Sequence, residues 1–185
     1  MVRFLTLAIA IAILGATSAN PTGAQRKLEA LESGKVRRGS TVVFTEAELN
    51  EYARAKLPEF APTGARDPKL QLGSGSATGS IIVDFAKLRR APGHEPGWLL
   101  THLIGGEKRV LATVRVNSAQ GKATVTVERL EIAGIVVTGA TLDFLLEAFV
   151  RPVFPQAKIN QPFALHDGID RIEVQPGQAR AIMRR

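Results

Sequence analysis

The residues able to do chemistry are few, and their spacing builds no site. The three histidines, His94, His102 and His166, fall in a loop, a short helix and a loop, with no ligand spacing between them. A metal centre needs at least three convergent ligands, and neither H-x-x-x-H nor a His/carboxylate cluster occurs. Gly73-Ser74-Gly75-Ser76 misses the G-x-S-x-G nucleophile elbow and suits a hairpin turn, while Gly73, Gly75 and Gly79 miss G-x-G-x-x-G. The carboxylates have local explanations. Glu46 and Glu48 open a helix, Asp143 and Glu147 stand four apart on the polar side of another, and Asp167 and Asp170 flank Gly168 in a turn. Asp84, a carboxylate among apolar strand residues, reads as a solvated edge position, with a catalytic acid as the alternative. No catalytic or metal-binding residue is assigned, no cofactor is expected, and the chain does not read as an enzyme.

With catalysis set aside, the ends and the composition bound the class. Met1-Val2-Arg3 is a short basic start, Phe4 to Leu14 an apolar run of 11 residues broken only by Thr6, and Thr17-Ser18-Ala19 a small-residue cleavage site. The run is too short for a stable bilayer span, which takes about 20 residues. Residues 1–19 are therefore expected to be a cleaved signal peptide, with a second cut possible after Ala24 and a retained anchor as the alternative. Removal of 19 residues from 185 leaves 166, enough for one domain with a core. The chain has no cysteine, so this core must hold without disulfides. The net charge of +7 falls to +6 with the loss of Arg3. Its basic pairs, Arg37-Arg38, Arg89-Arg90 and Arg184-Arg185, are consistent with contact to anionic headgroups and equally with plain solubility. An exported chain is periplasmic or extracellular, and nucleic acid is not an expected partner there.

The elements that must position any site follow from periodicity. Residues 20–38 are a polar segment with a weak helical stretch from Gln25 to Glu32, and residues 39–185 read as one α+β domain. Thr41 to Phe44 predicts a strand running into a helix. Thr45 and Glu48 form a T-x-x-E capping box, Phe44 and Leu49 a hydrophobic staple, and Arg54 and Lys56 load the last turn before Pro58 ends the helix. Its apolar face is Leu49, Tyr52, Ala53 and Leu57. A proline-rich loop to Pro68 leads to strands at Lys69–Leu72 and Gly79–Leu88, the latter with Ile81, Val83 and Phe85 on one face. Trp98 to Ile104 predicts a short helix, apolar nearly all round, closed by Gly105-Gly106.

Val110, Ala112, Val114 and Val116 alternate along the clearest strand, Ser118 to Gly121 turns the chain, and Ala123, Val125 and Val127 mark the return. After Glu128 the apolar set becomes Leu130 and Ile132, a change of phase that requires a bulge near Arg129. Leu142, Leu145, Leu146, Phe149 and Val150 follow helical spacing over Thr141–Val150, where Asp143 and Glu147 argue against a membrane span. Ile169–Val174, Pro176-Gly177 and Ala179–Met183 close the chain as a hairpin. Helices alternating with antiparallel pairs give an α+β class.

Order and patterning resemble those of small secreted bacterial proteins of uncharacterised families, related in shape to the tubular lipid-binding (TULIP, BPI-like) superfamily. The resembling segments are Val42–Asn50 with Leu57-Pro58, Val83-Asp84-Phe85, Leu99-Leu100 with Gly105-Gly106, Val116–Ala123, Ile132–Val137 leading to Leu145-Leu146, and Ile169–Ile172. Such relatives often carry a proline before the third helix, where this chain has Thr138-Gly139. The resemblance implies a curled antiparallel sheet wrapped round one or more helices, enclosing an apolar tunnel that binds or shuttles a lipid or other apolar ligand; contact with a membrane surface is expected separately, from the apolar Trp98–Ile104 helix and the basic pairs. The expected lining is Leu49, Ala53, Phe85, Leu99, Leu103, Val114, Val116, Val125, Val127, Leu142, Leu145, Leu146 and Phe149. The alternative is a structural or interaction protein of the envelope with a packed core; a hydrolase ranks behind both.

Overall fold

The computed structural model describes residues 22–60, 64–84, 106–147, 159–166 and 168–185, without the side chains of Phe60 and Phe144. The expected signal peptide 1–19, His94, His102, the helix expected over 98–104 with Leu99 and Leu103, and Phe85, Phe149 and Asp167 lie outside these residues.

The fold is α+β. In chain order the elements are α1 (Gly23–Glu32), β1 (Thr41–Thr45), α2 (Glu46–Phe60), β2 (Ala65–Leu72), β3 (Ser76–Asp84), β4 (Glu107–Ala119), β5 (Lys122–Ile132), β6 (Ile135–Val137), α3 (Gly139–Leu145), β7 (Phe163–Ala164), β8 (Ile169–Gln175) and β9 (Gln178–Met183). A six-stranded sheet runs β2-β3-β4-β5-β6, with β7 also on β5, and a three-stranded sheet runs β1-β9-β8. All paired strands are antiparallel, apart from one parallel bridge between Val125 and Ile159.

The capping box forms as the sequence predicts. The Glu48 amide donates to Thr45 Oγ1 at 3.2 Å, and the Thr45 amide donates to Glu48 Oε2 at 2.9 Å. Lys27 of α1 adds a third hold. Its Nζ donates to both Glu48 oxygens at 2.6 and 2.8 Å and to the Val43 carbonyl at 2.7 Å. The ammonium beside it holds the Glu48 carboxyl below the ordinary carboxylate range, helped by the Thr45 bonds and opposed by partial burial. Helix α1, read from sequence as a polar segment apart from the domain, buries Ala24, Leu28 and Leu31 in the same core cluster as Phe44 and Leu49.

Two boundaries and one side chain differ from expectation. Helix α2 does not stop at Pro58 but runs on to Phe60. A proline forfeits one hydrogen bond to the preceding turn, and a last turn already near its end tolerates that loss. Lys56 is not a solvated last-turn charge: it is 2% exposed and pairs with Glu59 at 2.9 Å. Pro68 falls within strand β2 rather than a loop, at an irregularity between Arg66 and Lys69 where Asp67 has φ 54°. Strand β2 is an edge, the place where a sheet accepts proline.

The β4–β5 hairpin closes on Gln120 and Gly121, both with positive φ (51° and 73°), as a type I′ turn requires. Its strands pass Thr113↔Arg129 and then Val114↔Val127, which leaves Glu128 as the extra residue of the bulge expected near Arg129. The smaller sheet packs against this hairpin end. The Ser118 hydroxyl donates to the Ile172 carbonyl at 2.6 Å and accepts from the Ile172 amide at 2.7 Å. Of the segment 134–150, apolar in sequence, the described residues 134–147 contain β6 and α3. No helix among the described residues is long and apolar enough to cross a membrane.

Candidate functional site

Directly paired residues share one face of a sheet, so the register defines the apolar face of the larger sheet. Leu70 pairs Gly79, which pairs Ala112, which pairs Leu130. One step toward the hairpin the row is Leu72, Ala77, Val114 and Val127. One step away, Ile81, Val110 and Ile132 align. The Glu128 bulge keeps both Val127 and Leu130 on this face, which a regular strand could not do.

The face is covered by two separate apolar clusters. The first joins Phe44, Leu49, Tyr52, Leu72, Ala77, Val116 and Val125 to α1 and to the inner residues of β8 and β9. The second gathers Val83, Leu130, Ile132, Val137 and Leu145, with Ile81, Val110, Ala112 and Leu142 partly buried against it. Gly79 lies between them. A Cβ built on it would meet no heavy atom of the described residues within 4 Å, and its backbone is not in the left-handed region.

The residues expected to line a ligand space divide accordingly. Val116, Val125 and Leu49 are buried in the first cluster, Val125 at 0% exposure, and Val114 is half-buried at its margin. Leu145 is buried and Leu142 half-buried in the second. Val127, Ala53 and Leu146 are half-buried and belong to neither cluster. Leu70 and Ala112 fall in expected strands but not in the expected lining, and Gly79 is not singled out because a glycine in a strand carries no hydropathy signal of its own.

Helix α2 fixes the outer edge of this face. Asn50 Nδ2 donates to the Leu70 carbonyl at 2.8 Å, and its Oδ1 accepts the Leu70 amide at 2.7 Å. Glu46 Oε2 accepts the Leu72 amide at 2.8 Å, a second function for a residue read as a helix-end charge. The side chains of α2 thus complete the edge of β2 in place of another strand.

The described polar candidates lie in turns, at a strand end and in the core. Ser74 sits exposed in the β2–β3 turn, where the Gly73 amide donates to the Ser76 carbonyl. The His166 carbonyl accepts the Ile169 amide at 3.1 Å in the turn before β8. Asp84 pairs with Glu107 in the strand register and its amide donates to the Gly64 carbonyl. Burial pushes the Tyr52 phenol well above its ordinary value, and the carboxylates of Glu59, Glu32 and Glu29 push the same way, so it stays protonated. Among the described residues no three His, Asp or Glu side chains gather to hold a metal ion. No family model matches the chain, and no curated protein is significantly similar to it.

Proposed function

We propose that this is an exported envelope protein that holds an apolar ligand, an acyl chain, across the sheet face at Gly79, between the two clusters. The observation that carries this is that no heavy atom of the described residues comes within 4 Å of a Cβ at Gly79, on a face otherwise built of aliphatic side chains. Leu70, Ile81, Val110, Ala112, Val114 and Val127 surround that position and are only half-buried. Apolar surface left partly uncovered favours an apolar ligand at roughly 25 cal/mol for each Å² removed from water. Lys108, half-buried and paired with Val83, stands at the far end of the same face, where its ammonium suits an anionic head. The proposal includes a sheet that curls round the helices in the manner of the tubular lipid-binding proteins. Irregularities in β2 and at Glu128 support this, since bulges bend strands and sharpen twist.

A second reading, a packed structural protein of the envelope, is favoured by the closed first cluster, in which Phe44 and Val125 are both at 0% exposure.

Gly79→Leu separates the two. If the space holds a ligand, the variant keeps its thermal midpoint and loses binding of a fluorescent fatty acid. If protein atoms fill that space, the added side chain costs about 1–3 kcal/mol of strain and lowers the midpoint. Full probe binding by the variant contradicts the proposal.

A further inference from the structure

We propose that the end of the molecule where β1 begins and β9 ends is a docking surface for anionic phospholipid headgroups. Two basic pairs far apart in sequence meet there. The Met183 amide donates to the Ser40 carbonyl at 2.9 Å, and the Gly39 amide donates to the Arg184 carbonyl at 2.8 Å. This continues the β1–β9 ladder past Thr41↔Ile182 and brings Arg37-Arg38 beside Arg184-Arg185. The Arg184 guanidinium lies against Gly121, where any Cβ would overlap it, and so next to Lys122. A Cβ on Gly39 would stand 3.9 Å from Arg185 Cγ. All five cations are exposed.

Five arginines elsewhere on the molecule provide the contrast. Arg66, Arg115, Arg129, Arg171 and Arg180 each hold a carboxylate partner. No ion pair joins the five patch cations to a described acid, and Asp170, whose carbonyl accepts the Gly121 amide, gives its carboxylate to Arg171. The five cations therefore stand together at this end, where their fields add rather than cancel. Guanidinium groups bind phosphate oxygens in pairs, so the ligand chemistry is phosphate. The described patch has no aromatic ring for base stacking and no helix to enter a groove, which favours a headgroup surface over nucleic acid.

The inference rests on the envelope setting of the proposed function but not on the space at Gly79. The test is co-sedimentation of the full exported chain with vesicles of phosphatidylglycerol and phosphatidylcholine in equal parts, and with phosphatidylcholine alone. The expected result is binding to the anionic vesicles only, falling about fivefold for each cation removed in Arg184→Gln and Arg185→Gln. Arg115→Gln and Arg129→Gln make the same charge change in paired residues and should leave binding nearly unchanged. Gly79→Leu should also leave it unchanged, so loss of acyl binding and loss of docking are read separately. An equal loss from the paired-residue variants, no preference for anionic vesicles, or tighter binding to duplex DNA than to vesicles overturns the proposal.

Discussion

Asn50 satisfies both backbone groups of Leu70, the β2 residue paired with Gly79. One helix side chain thereby does the work of a neighbouring strand at the margin of the candidate site. Asn50→Leu leaves an amide and a carbonyl without their partner, at a cost of about 1–3 kcal/mol. Urea denaturation should show a lower midpoint with an unchanged slope; an unchanged midpoint would show that water replaces the amide without loss.

Thr45→Ala removes the acceptor of the Glu48 amide at the start of α2. The expected loss is about 1 kcal/mol, the usual value for a cap of this kind. For a chain of this size that corresponds to a fall in Tm of about 2–4 °C. Calorimetry that finds no shift would show that Lys27 and Glu48 hold the helix start without the threonine.

Glu48 also sets a pH dependence. Its carboxyl is held below its ordinary value of 4.5, chiefly by the hydrogen bond from Lys27. A lowered folded-state value stabilises the fold above the ordinary range, and the contribution is lost as the pH falls through the folded value. Glu48→Gln should therefore be less stable than the natural chain at neutral pH, with the difference narrowing below 4.5. A difference constant from neutral to acid pH would mean that the carboxylate charge plays no part.

Much of this arrangement is legible in the sequence because it rests on local rules. The T-x-x-E box, the phase change after Glu128 and the Pro176-Gly177 turn each involve residues within a few positions of one another. What is not legible depends on distant contacts. The Lys27–Glu48 pair spans 21 positions, and the Asn50–Leu70 bonds span 20. Helix α1 reads as polar because its three buried apolar residues are a minority, yet they complete the first cluster. The candidate lining appears continuous in the strand pattern, but the register divides it between two clusters and places Gly79 between them.

Export makes its own prediction. The mature chain should begin at Asn20, or in a smaller fraction at Gln25, on amino-terminal sequencing of material recovered outside the inner membrane. Met1 intact on a membrane-bound form would contradict cleavage.

The most direct test of the central claim is mass spectrometry of lipids extracted from the protein purified out of its own envelope. A bound acyl lipid, present in the natural chain and depleted in Gly79→Leu, is the predicted result. Recovery of no lipid from a folded natural chain, or equal recovery from both proteins, would contradict an acyl site at Gly79.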